Sequence, residues 1–289
     1  MTIFSKNTPL HRRNTIGSKV AGFFSNLIMI LFSITCIYPV IWIYYSSVKT
    51  QKEFDGNIIG LPKVLQFDNY VEVLSDGMLG NYMFNTFRNT FIALFFIVLF
   101  GFINGYIISR YRFAGRKALY TMYMLGMLVP IHALLIPIFI LFSKAGLTDK
   151  WFSVSLPNIA FGLPTAIFLI ESYMGGVPRE IDEAAAIDGA GFSKTLFNII
   201  MPLATPILVT VGIISFFACW NEFSFSLVLL QNKKLFSLPL GMTMFKGVYQ
   251  SDYPKMMTTM AIAITPALIL YFAFSKQIIK GMMSGAVKG

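Results

Sequence analysis

Residues 177–206 read VPREIDEAAAIDGAGFSKTLFNIIMPLATP. The first half is too polar for a membrane core, yet it carries the signals of two short helices. Pro178 suits a first helical turn, where its missing N–H costs nothing. Glu180, Asp182 and Glu183 follow at the end where the helix dipole favours acids. Ala184, Ala185 and Ala186 propagate a helix well, and Gly189 suits the C′ position that stops it. Ser193 is the predicted N-cap of a second helix. Phe192 and Phe197 have the spacing of a hydrophobic staple around it, and Pro202 is predicted to end or bend that helix. Alanines leave a low-profile face, Ile181 and Ile187 offer apolar anchors, and Glu183 offers a charge. Helix-in-groove recognition uses these parts. A surface helix that packs only on its own protein fits the same residues.

On either side the chain turns apolar. Of 289 residues, 56% are hydrophobic and 12% charged, and mean hydropathy is +0.67. Soluble domains carry roughly 25% charged residues, so lipid is the natural solvent here. The net charge is +10, but the cations flank apolar runs and form no single patch, which excludes a nucleic-acid reading. A membrane span needs about 20 apolar residues. Six such runs are predicted, at 20–45, 86–108, 118–142, 152–174, 204–229 and 257–276, giving an all-α integral membrane fold. The run from Val20 is longer than a signal-peptide core, and no small-residue cleavage site follows it, so an uncleaved first span is expected.

Orientation follows from lysine and arginine. The tail 1–19 carries Lys6, Arg12, Arg13 and Lys19. The loop after the second span carries Arg110, Arg112, Arg116 and Lys117, and the tail 277–289 follows Lys276 and carries Lys280 and Lys288. With six spans these fall on one side, expected to be cytoplasmic with both termini, and the loop 175–203 joins them. The outer side then receives 46–85, with an amphipathic piece Phe67–Met78 expected at the membrane surface, together with 143–151 and 230–256. Gly101 and Gly105 make a GxxxG that permits close helix approach. The absence of an internal repeat, with only six spans, favours a subunit over a self-sufficient carrier.

Polar residues in the spans are few. Glu222, late in the fifth span, reads either as a capping acid or as lining of a path, with Trp220, Asn221 and Phe216 beside it as candidate lining for a sugar's mixed hydroxyl and apolar faces. His132 is expected to be neutral and hydrogen-bonded. Arg88 and Arg110 are expected to snorkel from span ends. Cys36 and Cys219 read as small hydrophobes. There is no GxxxxGK[ST] loop, no metal-spaced cluster and no catalytic constellation.

Glu183-Ala184-Ala185, Gly189 and Ile199-Ile200-Met201-Pro202 resemble the EAA signature of ABC importer permeases, with Met201 replacing leucine. Residues 106–116 (YIISRYRFAGR), Trp220-Asn221-Glu222-Phe223 and the ending 281–289 (GMMSGAVKG) are similar to carbohydrate-uptake permeases of the maltose-permease G type. The resemblance runs from about residue 20 to the end. It implies a type I ABC importer permease fold in a bacterial cytoplasmic membrane, embedded in lipid, with a core domain over 86–276. It implies a heterodimer with a second permease, a cytoplasmic ATPase dimer, and an extracytoplasmic binding protein that delivers a sugar or oligosaccharide. ATP and magnesium would sit on the ATPase, with no cofactor on this chain and no enzymatic activity of its own. Glu183, Ala184, Ala185, Asp188, Gly189 and Pro202 would form the coupling element, and Ser284, Gly285 and Lys288 a tail reaching the ATPase. The outer loop 230–256 would touch the binding protein. A permease for a non-sugar solute is the nearest alternative. A stand-alone channel or carrier, or a membrane enzyme, is disfavoured.

Overall fold

A computed structural model of the chain describes residues 16–75, 77–248 and 252–286. The fold is helical throughout this part. Helix α1 spans Ile16–Ser47, followed by short α2 (Gln51–Gly56) and α3 (Asp68–Ser75), and then by α4 (Met78–Arg110). Next come α5 (Arg116–Met127), α6 (Leu135–Lys144), α7 (Ser155–Met174), α8 (Glu180–Ile187) and α9 (Phe192–Lys194). The chain closes with α10 (Met201–Trp220), α11 (Ser224–Leu229), α12 (Leu238–Val248) and α13 (Tyr253–Ala286).

Among the described residues, four helical stretches are long and apolar enough to cross a membrane: Gly22–Ser47, Met78–Arg110, Phe192–Trp220 and Tyr253–Lys276. A fifth crossing forms if Arg116–Met127 and Ile131–Lys144, which meet at 93°, count as one. The predicted 118–142 span is therefore not straight. Pro130 is extended, and a 3-10 turn over Ile131–Leu134 carries the chain round the corner. Helix α7 matches the predicted 152–174 segment but is not among the four. It buries Ser155, Pro157, Asn158, Pro164, Ala166, Ile167, Ile170 and Met174 inside the protein, so its surroundings tolerate more polarity than lipid would.

Other expectations need adjusting. The predicted 204–229 span breaks at Asn221–Phe223, between α10 and α11. The second span begins at Met78, eight residues before the predicted 86. Phe67–Met78 is not a free surface helix. In α3, Val73 is fully buried, and the buried Asn69 amide donates to the carbonyls of Ser47 (2.8 Å) and Lys49 (3.0 Å). Helix α1 starts at Ile16, inside the predicted tail 1–19, and residues 1–15 lie outside the described part. The predicted tail 277–289 is helical to Ala286. Ser284 and Gly285 thus lie in the last turn of α13, and Lys288 falls outside the described residues.

The core is built around α4 packed on α7 and α10. Gly101 and Gly105 face α7 so closely that a Cβ on either would come within 2.7 Å of Ala166 or Ile170. Gly162 of α7 answers against Ile97. One apolar cluster gathers Tyr82, Phe216, Trp220, Phe225 and Leu229 towards the start of α4. Another gathers Ile97, Phe102, Tyr106, Ile170, Leu196 and Ile200 towards its end. By contrast, every residue from Gly22 to Pro39 of α1 is exposed.

Candidate functional site: an exposed helix pinned to the end of a span

The stretch 177–206 forms helix, turn, helix. Arg179 already has helical angles, so Pro178 stands at the very start of α8. The helix stops in a Schellman motif. Ala190 N–H donates to Ala185 O (2.9 Å) and Gly189 N–H to Ala186 O (3.1 Å), with Gly189 at φ +73°. The second start differs from expectation. Gly191, extended at φ −72° and ψ 168°, is the N-cap, and Ser193 lies inside the helix without a capping bond. Phe192 makes no staple with Phe197. It packs its ring on Tyr106 and Tyr111, with centroids 6.0 and 6.2 Å apart.

Pro202 does not end the second helix. The chain is one continuous helical run from Phe192 to Trp220. A π-helical turn over Thr195–Ile200 precedes the proline, which falls in the first turn of α10. That position needs no backbone donor, and the widened turn absorbs the change of register. The fifth span therefore begins with no loop behind it.

The inner face of α8 is held by side chains. Tyr106 Oη donates to Asp182 Oδ1 at 2.6 Å, and Arg110 Nε lies 3.0 Å from Asp182 Oδ2. Arg110 Nη2 also donates to Val177 O (2.9 Å). Arg110 thus turns inward rather than snorkelling; its side chain is only 7% exposed. Sequence reasoning passed over this clamp, although Asp182 beside Glu183 was a visible excess of acid. Ala185 is buried and Ile181 packs against the inner cluster. The outer face shows Glu183, Ala184, Ile187 and Asp188, with Ile187 86% exposed. Of the two isoleucines expected as anchors, only Ile187 is free to serve. Met201, Pro202 and Leu203 continue the exposed surface.

A second constellation lies at the two helix breaks. Glu222 accepts from Phe225 N–H (2.5 Å), Ser226 N–H (3.1 Å) and Ser226 Oγ (2.9 Å), and so caps α11. His132 Nδ1 lies 3.5 Å from Ser224 Oγ. Asn221 and Glu222 line a cavity of about 300 Å³ with His132 and Asn158. Trp220 and Phe216 do not join them. Both rings are buried in the core, stacked at 5.5 Å, with Phe87 edge-on to Trp220 at 4.8 Å. At the start of α4, Asn81 and Asn85 amides donate to Lys234 O (2.6 and 2.8 Å), and Leu238 N–H donates to Thr86 Oγ1 (2.7 Å). Part of the predicted outer loop 230–256 is thereby tied down. Nearby, Lys49 is wholly buried and donates to Asn57 O (2.9 Å) and Ile58 O (3.2 Å); burial pushes its ammonium pKa below the usual lysine value. Among the described residues no cluster of His, Cys, Asp or Glu could hold a metal.

The family model of binding-protein-dependent transport system inner membrane components matches residues 97–283, which include the clamp, α8 and the cavity. The chain belongs to this family. It is a membrane transport component of an ABC importer, a multi-pass protein of the bacterial plasma membrane. Among curated relatives of this permease, the multiple sugar-binding transport system permease protein MsmG of Streptococcus mutans is 32% identical over 275 residues, covering 93% of this chain and 98% of the relative. The trehalose/maltose transport system permease protein MalG of Thermococcus litoralis is 32% identical over 265 residues, covering 90% and 94%. The solved structure of a bacterial ABC transporter that imports the acidic polysaccharide alginate contains a chain of the same fold. It has a TM-score of 0.80 at 23% identity, covering 93% of this chain and 99% of that one.

Proposed function

We propose that the permease forms half of the membrane pathway of an ATP-driven importer for a sugar or oligosaccharide. In this reading it crosses the membrane six times, with α7 and the bent α5–α6 pair each as one crossing, and both termini are cytoplasmic. It pairs with a second, unlike permease subunit. A binding protein delivers cargo from outside, and a cytoplasmic ATPase dimer holds the ATP and magnesium. The permease binds no cofactor and catalyses no reaction itself. The sugar transport systems named for its relatives support the cargo class.

The observation that carries the reading is the presentation of α8. A short helix fixed on one side by Asp182 and stopped by Gly189 offers a shallow face with the carboxylate of Glu183 and one apolar knob, Ile187. Asp188 flanks that face, and Ala184 keeps it low. A helix seated in a groove transmits rigid-body motion to whatever it is fixed to. Here α8 is fixed to α4 by the clamp and continues through one turn into the run that becomes α10. ATP-driven closure of the ATPase would then move both helices together. Ser284, Gly285 and Lys288 would reach the ATPase as a second contact, and loop 230–256 would meet the binding protein.

The test is isolation of the complex from membranes in mild detergent. A second permease, an ATPase and a binding protein should accompany the wild-type chain. Glu183→Lys should abolish sugar uptake and binding-protein stimulation of ATP hydrolysis while the chain still inserts. Survival of both activities would remove α8 from the coupling role.

A further inference from the structure

A groove of about 930 Å³ opens where the loop after α4 turns into α5. Its rim carries Arg112, Arg116 and Lys117, and no carboxylate lines it. Arg116 is already oriented. Its Nε donates to Ile108 O (2.6 Å), which leaves the two Nη groups to meet an anion. Arg112 and Lys117 are exposed and have no ion-pair partner among the described residues. Like charges gathered this closely favour an anion between them.

The groove does not end at the charges. Phe113, Met122 and Leu125 continue it, each exposed, and Thr121 adds a hydroxyl between cations and hydrocarbon. Lys117, Thr121, Met122 and Leu125 share one side of α5 at helical spacing. The other side packs on α7, where Gly126 lies against Pro164. Arg116 and Leu125 are about 14 Å apart along the helix at 1.5 Å per residue, and the bent α5–α6 pair runs on as a candidate crossing. A soluble acidic partner would reach the cations but not Met122 and Leu125. Free phosphate would leave the apolar floor uncovered. The occupant that matches both ends carries an anion joined to hydrocarbon. Basic clusters at the cytoplasmic ends of membrane helices take anionic lipid headgroups for this reason.

We propose that this groove holds one anionic phospholipid of the cytoplasmic leaflet, with its phosphate on Arg112, Arg116 and Lys117 and an acyl chain along Met122 and Leu125. The leaflet rests on the topology proposed above; the binding does not. The site borders the coupling element. Arg116 is bonded to Ile108, in the same last turn of α4 as Arg110, and Tyr111 packs on Phe192.

Native mass spectrometry of the complete importer in mild detergent tests it, during titration with dioleoyl phosphatidylglycerol and, in parallel, with phosphatidylcholine of the same chains. Arg112→Gln combined with Lys117→Gln should carry one phosphatidylglycerol fewer per complex than wild type. Reaching the wild-type number should take about twentyfold more lipid, roughly fivefold for each cation removed. Arg112→Lys combined with Lys117→Arg keeps both charges and should bind as wild type does, as should Lys52→Gln, which removes an exposed cation elsewhere. Met122→Gln combined with Leu125→Gln should also lose that lipid, a loss that attraction by charge alone would not produce. Neither phosphatidylcholine nor inorganic phosphate should displace it. The site is overturned if the doubly neutralised variant carries as many phosphatidylglycerols as wild type or if either competitor displaces the lipid. It is also overturned if benzoylphenylalanine in place of Met122 crosslinks to another protein subunit and not to lipid. Labelling of Arg112→Cys by an impermeant reagent outside intact cells would overturn the leaflet and the proposed topology together, with the binding results unchanged.

Discussion

Asp182 decides more at the residue scale than any position in the signature itself. It joins Tyr106 and Arg110, both on the last two turns of α4, to a helix some seventy residues further along the chain. Asp182→Asn would leave the Arg110 guanidinium buried without its counter-charge. The expected loss is about 2–3 kcal/mol, read as a lower midpoint in thermal unfolding of the detergent-solubilised protein. Arg110→Gln added to Asp182→Asn should recover part of it, and a double-mutant cycle would isolate the coupling. Gly189 makes a separate prediction. Its left-handed φ of +73° is required by the Schellman turn, and the space around it is open. Gly189→Val should therefore act through backbone strain of about 1–2 kcal/mol, whereas Gly189→Asn should be tolerated. Binding-protein stimulation of ATP hydrolysis should fall for valine and persist for asparagine. Gly189 was legible in the sequence because capping is local. The Asp182 clamp was not, because nothing in residues 177–206 states what α4 brings to meet them.

Elements were legible where one periodic apolar run makes one helix, as in α1, α4 and α13. They were less so where the backbone bends without a strong breaker. The corner at 128–134 had Pro130 as a signal, but the break at Asn221–Phe223 contains neither proline nor glycine. There a carboxylate supplies the start of α11, and only the fold shows Glu222 turned back onto Phe225 and Ser226. Pro202 misled in the opposite direction, because a π turn lets the helix run through it. Packing between elements gives a further prediction. Gly105 lies against Ile170 with no room for a side chain, so Gly105→Leu should push α4 from α7. Overpacking of this kind costs about 1–3 kcal/mol and should lower both the unfolding midpoint and the yield of folded protein. Gly22→Leu, on the exposed side of α1, should leave both unchanged.

For the whole molecule, orientation is the property to measure. In a chain with Cys36 and Cys219 replaced by serine, Lys150→Cys should react with a membrane-impermeant maleimide added to intact cells. Arg112→Cys should react only after the membrane is opened. The reverse pattern would invert the proposed topology. The all-helical membrane architecture was readable from hydropathy. The exposed surfaces were not, since a sequence does not tell a lipid-facing phenylalanine from one that meets a partner subunit. One feature of the architecture reaches across all of it. Helix α4 has 33 residues, roughly 50 Å at 1.5 Å per residue, against a hydrocarbon core of about 30 Å. Asn81, Asn85 and Thr86 grip the loop at one end, and Tyr106 and Arg110 grip α8 at the other. A push-rod of this kind needs no relay of side-chain changes between its ends. A tilt imposed on either end arrives at the other at once, and its stroke is set by the length of the rod.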